Sequence, residues 1–138
     1  MRTCEEVTDL TEVYALRRAV FIDEQGFTEA DEFDGRDAEA MQILMREGDQ
    51  PIASARVFTE GDTAKIGRIC VAKSHRGLGL GAEILRDAMA RAKARGCTKA
   101  KLSAQVQAIP FYEKLGYVAY GAPYPDGHVP HRDMVAPL

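Results

Sequence analysis

The sequence has no tryptophan, only three cysteines, and no apolar run near the roughly 18 residues that a membrane-spanning helix needs. Cys4, Cys70 and Cys97 are odd in number and form no C-x-x-C pair, so neither a disulfide framework nor a zinc site is indicated. The N-terminal segment MRTCEEVTDL lacks the apolar core of a secretion signal. We therefore expect a cytoplasmic protein that keeps its thiols reduced, binds no metal and has no membrane partner.

An excess of positive charge is also missing. The 138 residues carry a formal net charge of -3, whereas binding to nucleic acid normally requires a clustered basic surface. Nucleic acid is therefore not an expected partner. A hydrophobic content of 46% in a chain of this length predicts one compact domain over residues 1–138.

Hydrophobic periodicity outlines a mixed order of helices and strands. A helical pattern over 10–22, with Thr8 or Asp9 as its cap, is followed by an acidic stretch over 23–37 that predicts a loop or a short helix. The later elements are antiparallel strands at 41–47, 51–58 and 63–71, a helix over 82–96, a parallel strand at 98–104, a short helix over 108–116, a strand at 117–121 and an irregular tail over 122–138.

Three glycines alternate in the segment ICVAKSHRGLGLGAEIL, between a predicted strand and a predicted helix. The first amides of a helix have no intrahelical acceptor, and the helix dipole adds partial positive charge there. Gly77, Gly79 and Gly81 leave room for a diphosphate to approach these amides, and Arg76 adds a positive charge. The pattern is neither a Walker loop nor G-x-G-x-x-G; it fits R-x-x-G-x-G. A tight strand-to-helix turn without any ligand is the alternative.

The second half of the chain resembles the GCN5-related N-acetyltransferase (GNAT) superfamily, in which R/Q-x-x-G-x-G/A binds the pyrophosphate of acetyl-coenzyme A. A later family motif, N-x-x-A-x-x-x-Y-x-x-x-G-F, is similar to the positions Gln105, Ala108, Tyr112, Gly116 and Tyr117. Gln105 replaces the asparagine and Tyr117 the phenylalanine. The segments VFIDEQG, GRICVAKSHRGLGLG, AQVQAIPFYEKLGY and GHVPHRDM look like the ElaA/YjcF-type subgroup, so the resemblance covers nearly the whole chain.

The resemblance implies the GNAT fold, of α/β (α+β) class: a mostly antiparallel mixed sheet with a splayed parallel pair of strands and flanking helices. It also implies acetyl-CoA as co-substrate, and an N-acetyltransferase activity toward a small-molecule amine or a protein amine. The acceptor's identity is left open, and a homodimer is suggested by analogy only. The cofactor-binding positions implied are Ile69, Cys70, Val71, Arg76, Gly77, Leu78, Gly79, Leu80, Gly81, Gln105 and Tyr112.

Acetyl transfer to an amine needs an acid for the leaving thiolate and a base for the amine. By resemblance, Tyr112 is the acid, although its spacing alone favours a core aromatic. Glu24 is the first candidate base because the loop after the first helix usually borders the acceptor site in this fold, and His131 is the second. Each also has an ordinary alternative as a solvated or structural group. Cys70 is expected to be a strand residue rather than a nucleophile.

Two other functions remain open at this stage. The protein could be a catalytically inert CoA-binding sensor or interaction module, which would bind the cofactor without amine-dependent thiol release. It could also bind a phosphate or nucleotide other than CoA, if the later motif is coincidental. The acidic cluster Glu29, Asp31, Glu32 and Asp34 either attracts a cationic amine or is simply solvated.

Overall fold

A computed structural model describes residues 1–138. Seven strands and four α-helices alternate along the chain. The strands are β1 (Arg2–Glu6), β2 (Met41–Glu47), β3 (Gln50–Glu60), β4 (Thr63–Val71), β5 (Lys99–Gln105), β6 (Val118–Asp126) and β7 (Val129–Pro137); the helices are α1 (Thr11–Arg17), α2 (Glu29–Glu32), α3 (Leu80–Ala94) and α4 (Ile109–Glu113). No helix is both long enough and apolar enough to cross a membrane.

All seven strands form one sheet in the order β1-β2-β3-β4-β5-β7-β6. Every neighbouring pair is antiparallel except β4 and β5, which run parallel and are connected through α3. The structure therefore confirms the expected mixed, mostly antiparallel sheet with one parallel pair. The predicted meander of β2, β3 and β4 and the βαβ unit that follows it are also confirmed.

The two faces of the sheet are covered differently. On one face α3 buries Ile84, Leu85, Ala88 and Ala92 against the strands, as their shared helical face predicts. On the other face α1 packs Val13 and Leu16 into a smaller cluster over part of the sheet. The C-terminal strands keep the second face accessible, and the cleft described below opens there.

The predicted first helix forms but changes type halfway. The N-cap residue is Leu10, not Thr8 or Asp9 as predicted, although Asp9 accepts a hydrogen bond from the Thr11 amide at 3.1 Å. After Arg17 the chain continues as a π-helix over Arg18–Glu24, where the Gln25 amide donates to the carbonyl of Val20 at 3.2 Å. Such wider turns occur often at functional sites.

Two predictions for the ends of the chain were wrong or incomplete. β1 was not predicted, because this edge strand is polar and only Cys4 packs against the core. The tail is not irregular: it extends β6 and forms β7. Pro123 and Pro125 lie on β6, an edge strand, where a residue without an N–H group is tolerated, and Gly127 supplies the positive φ of +61° that the hairpin turn uses.

Candidate active site

The site begins where the two parallel strands separate. β4 and β5 are paired only from Thr63 to Lys65 and from Lys99 to Lys101. Beyond this point β5 pairs with β7 alone, and the backbone of β4 continues to Val71 without a partner on that side. The result is the splayed pair expected from the resemblance, with Ile69–Val71 on its β4 edge.

A β-bulge in β4 accompanies the separation. Arg56 of β3 pairs with Gly67, whereas Ser54 pairs with Cys70, so β4 has one residue more than β3 between these points. Arg68 in the bulge has a φ of +51° and is the one non-glycine residue with positive φ. This conformation costs a non-glycine residue about 1 kcal/mol, and the contacts of its guanidinium group, described below, stabilise it.

A cleft of about 570 Å³ occupies the gap between the strands and the adjoining sheet face. Its walls come from the segment between α1 and α2, from β3, β4, β5 and α4, and from the β6–β7 hairpin. Phe27 closes one side by packing under the hairpin turn: a β-carbon added to Gly127 would lie 2.7 Å from the Phe27 ring. Cofactor candidates Ile69, Gln105 and Tyr112 line this cleft, and so does His131.

The glycine-rich loop lies at the N-terminus of α3, which begins at Leu80. Gly77 and Gly79 have φ values of +81° and +75°, and a β-carbon at either would meet nothing within 4 Å. The amides of residues 77–79 donate to no backbone acceptor. Free donors in front of open space at a 15-residue helix fit a diphosphate well. Leu78 is exposed, whereas the Leu80 side chain is buried in the core.

Arg76, the cation of this loop, is paired with Glu24. Its Nη1 and Nη2 atoms each donate to one Glu24 carboxylate oxygen at 2.7 Å, and Nε and Nη2 also donate to the carbonyl of Val71 at 3.2 Å. The hydrogen bonds from Arg76 lower the pKa of Glu24. Glu24 also stays outside the residues that line the cleft. Both features make it a weak candidate for the base.

Gln25, the next residue, makes a second connection across the site. Its Oε1 atom accepts a hydrogen bond from Nε2 of Gln105 at 2.8 Å, and Gln105 accepts one from Gln107 at 2.6 Å. Gln105 stands where the family motif has asparagine. Glu24 and Gln25, at the end of the π-helix, are thus hydrogen-bonded to Arg76 and Gln105. The resemblance assigns both of these partners to the cofactor.

Tyr112 and His131 both face the cleft, where their polar atoms differ in what they can donate or accept. Burial raises the pKa of Tyr112, so its phenol keeps a proton that it can donate. His131 is buried, and its Nδ1 atom lies 2.9 Å from the carbonyl of Val129, which can only accept. Nδ1 must therefore carry the hydrogen, and in the neutral ring Nε2 is left with a free lone pair. The Asp126 carboxylate lies 3.9 Å from Nε2.

Cys70, by contrast, does not line the cleft. Its side chain is buried in the cluster beneath α1 and lies 3.3 Å from the Ser54 hydroxyl. Burial raises the pKa of the thiol to about 11, against the lowering effect of the Ser54 hydrogen bond. A thiol in this state is a poor nucleophile, as its position in a strand predicts. Any role in cofactor binding would fall to the backbone of this residue.

Glu32 and Asp34 of the acidic segment are hydrogen-bonded to arginines, whereas Glu29 and Asp31 are exposed and Asp31 lines the cleft. The buried Arg17 donates to Glu32 at 2.5 Å and to Asp37 at 2.6 Å, and Arg56 donates to both oxygens of Asp34 at 3.0 Å. We call this group, which also includes Arg68, the arginine–carboxylate cluster. Arg68 contacts Glu32 at 3.2 Å and donates to its carbonyl at 3.3 Å and to that of Asp31 at 3.1 Å.

Several polar groups at the cleft are not predicted from the sequence. Lys65, Lys101, Ser103 and Asp133 all line it. Tyr124 joins the last two, because its hydroxyl donates to Asp133 at 2.6 Å and is hydrogen-bonded to Ser103. Each lies at an alternating polar position of a strand, the ordinary signature of a solvent-facing side, so the pattern alone gives no signal of a site.

A splayed parallel pair with a cleft beside it, followed along the chain by a glycine loop with free amides at a helix N-terminus, defines the architecture of an acyl-CoA-dependent N-acetyltransferase. The model of the Acetyltransferase (GNAT) family matches residues 10–117, and the chain belongs to this family. The membership expected from the sequence is thereby confirmed. GNAT proteins use acetyl-CoA as a co-substrate and act on amine acceptors.

Similar proteins agree with this assignment. The chain is 40% identical to the Bacillus subtilis protein YyaT over 126 residues, which cover 89% of this chain and 85% of YyaT. It is 34% identical to the N-acetyltransferase YjcF of the same organism over 127 residues, or 91% of each. The crystal structure of Escherichia coli ElaA superposes with a TM-score of 0.85 at 25% identity, covering 99% of both chains.

Proposed function

We propose that the protein transfers the acetyl group of acetyl-CoA to a primary amine by direct attack of the amine within a ternary complex. The single observation that best supports this is the open glycine loop, with its unpaired amides, which follows the unpaired end of β4. The residues that line the cleft extend along the chain from Phe21 to Asp133, so the proposal places the activity in one domain over residues 1–138.

In this proposal the amides of Gly77–Gly81 and the Arg76 side chain bind the pyrophosphate. The unpaired edge of Ile69–Val71 binds the pantetheine arm by backbone hydrogen bonds, in the manner of an added strand, and Gln105 contributes from the opposite side. Acetyl-CoA supplies an acetyl thioester. A backbone donor from Ile69–Val71 directed at the acetyl oxygen would stabilise the negative charge that develops there.

His131 accepts the amine proton in this proposal, directly or through a water molecule, and Tyr112 protonates the departing thiolate. The tautomer argument supports His131, because its Nδ1–H bond to Val129 leaves Nε2 free to accept a proton. Glu24 was the first candidate for the base, but its pairing with Arg76 favours another role. We propose that Glu24 stays hydrogen-bonded to Arg76 until the pyrophosphate takes the place of its carboxylate.

Calorimetric titration with acetyl-CoA tests the cofactor part of the proposal. We expect selective binding by the wild type, with ATP as the competing ligand, and loss of binding in Gly79→Glu, which places a carboxylate against the phosphates while the circular dichroism stays normal. Glu24→Gln should bind acetyl-CoA a few-fold more tightly, since an exposed ion pair is worth little but competes directly. A folded wild type that binds no acetyl-CoA would overturn the proposal.

Amine-dependent release of free thiol tests the chemistry and separates an enzyme from an inert CoA-binding module. We expect Tyr112→Phe and His131→Gln to lower kcat by about 10²-fold or more, the usual contribution of general acid–base catalysis. Glu24→Gln should leave kcat unchanged if His131 is the base. A large loss of kcat in Glu24→Gln together with full activity in His131→Gln would reverse the assignment.

A further inference from the structure

One strand places a row of polar groups along the cleft. Lys101, Ser103 and Gln105 alternate on β5 with buried residues, so they share one face of the sheet, and all three line the cleft. This row runs from the point where β4 and β5 separate to the Gln25 contact at the other end. An acceptor lying along β5 would meet a cation, a hydroxyl and an amide in turn.

Two lysines are paired across the strands at the start of this row. Lys65 and Lys101 are partners in the last parallel pair before the strands separate, and like charges in directly paired positions repel. Lys65 is partly compensated by Glu60, with a distance of 3.0 Å between Nζ and Oε2. Lys101 is half-buried and forms no salt bridge; its Nζ atom lies 5.6 Å from the centroid of the Tyr120 ring. Lys101 is therefore the one of these two lysines that has no carboxylate partner.

The opposite end carries the complementary charge. Asp126 lines the cleft 3.9 Å from Nε2 of His131, whereas Asp133 is opposite Ser103 and so lies between the two ends; neither carboxylate is paired with an arginine or a lysine. In the β5–β7 register Gln105 is opposite His131, whereas Lys101 is opposite Val135. The two ends are four residues apart along the strand, or about 13 Å between Cα positions. The cleft is thus cationic at one end and acidic, with a free imidazole nitrogen, at the other.

We propose that the acceptor is a small primary amine that also carries an anionic group, a phosphate or a carboxylate. Lys65 and Lys101 bind the anionic group while the amine lies at the His131 end. This inference rests on the proposed function and adds the class of acceptor to it. The separation of the two ends favours an acceptor whose charged groups are several bonds apart over an α-amino acid, in which both are attached to the same carbon.

A matched series of acceptors tests the inference. The rate of thiol release from acetyl-CoA is measured with aminopentyl phosphate, aminohexanoate, aminopentanol and diaminopentane, which present a phosphate, a carboxylate, a neutral group and a cation. We expect the anionic acceptors to exceed aminopentanol in kcat/KM by about tenfold and diaminopentane by more, given the strength of charge-assisted hydrogen bonds. The comparison of phosphate with carboxylate identifies the anionic group.

Lys101→Gln should remove this preference by lowering kcat/KM for the two anionic acceptors much more than for aminopentanol, and Lys101→Arg should restore most of it. Lys99→Gln is the matched control, because Lys99 lies two residues earlier on the same face of β5 and does not line the cleft. A higher kcat/KM for diaminopentane than for the anionic acceptors would overturn the inference. So would an anion preference that survives Lys101→Gln. Neither result would affect acetyl transfer itself.

Calorimetric binding of aminopentyl phosphate to the complex with CoA provides a readout that is independent of turnover. We expect Lys101→Gln to weaken this binding about tenfold and Lys99→Gln to leave it unchanged. Binding that depends on Lys101 without any thiol release would support the anion site and contradict the proposed transferase activity. Binding that is absent, or equal in wild type and Lys101→Gln, would contradict the anion site.

Discussion

Replacing Arg17 by methionine should destabilise the protein strongly, whereas the same change at Arg18 should have little effect. The Arg17 side chain is 0% exposed and is hydrogen-bonded to Glu32 and Asp37, which are themselves buried. Removing one partner of a buried ion pair leaves uncompensated charge and typically costs 3–5 kcal/mol. Arg68 and Arg56 still face the two carboxylates, so we expect the low end, about 3 kcal/mol.

Arg18 is the matched control because it is adjacent in sequence and also paired, but its side chain is 48% exposed and its partner Glu29 is exposed as well. Exposed pairs contribute less than about 1 kcal/mol. A loss of about 3 kcal/mol is a large part of the 5–15 kcal/mol that stabilises a typical domain. It should lower Tm by about 10 °C, on the scale of a few degrees per kcal/mol for a domain of this size.

Urea unfolding followed by circular dichroism measures both variants, with thermal unfolding as a second readout. If Arg17→Met does not fold, Arg17→Lys keeps the charge but not the several hydrogen bonds that a guanidinium group makes, and should lose an intermediate amount. An unfolding free energy of Arg17→Met within about 1 kcal/mol of that of Arg18→Met would refute the reasoning, since a methionine would then replace the buried pairs without cost.

Three further outcomes are expected. Gly127→Ala should raise the KM for the acceptor without changing acetyl-CoA affinity, because its β-carbon would press on Phe27. Gly121 also has a positive φ but faces open space, so Gly121→Ala should lower stability only. Equal KM values in the two variants would contradict this prediction. Burial tends to raise the pKa of Asp34, but the hydrogen bonds from arginine outweigh it and lower the pKa to about 2. Its contribution to stability should therefore be complete above about pH 4 and disappear as the pH falls through 2, and an unchanged acid profile in Asp34→Asn would argue against it. Cys70 should react with a thiol reagent only after unfolding, so rapid labelling of the folded protein would show the thiol to be accessible.

The central part of the fold was predictable from the sequence because its signals are local. The apolar face of α3, the glycines before it and Gly96 after it define one βαβ unit without reference to distant residues. β1 and β7 gave no such signal. β1 has polar residues on both sides because it is an edge strand, and the prolines and glycines of the tail read as loop although they form a hairpin at the other edge.

The candidate site was predictable only as far as the chain itself brings its parts together. The loop residues Arg76–Gly81 are consecutive, so their shared anion site could be inferred from the sequence. The arginine–carboxylate cluster draws on α1, the acidic segment, β3 and β4, and nothing in any one of these segments indicates the others. The same holds for Lys65 and Lys101, whose proximity depends on the parallel pairing of two strands.

The contact between Arg68 and the acidic segment has a consequence for loop engineering. Glu32 holds the guanidinium of the one bulge residue with positive φ, and that bulge lies where β4 and β5 separate. A donor loop grafted between α1 and β2 to change acceptor selectivity would therefore have to keep Glu32 and Asp34 in place. Without them the graft would leave Arg68 with no carboxylate partner and Arg17 and Arg56 with Asp37 alone, and it would alter β4 at the point where the strands separate.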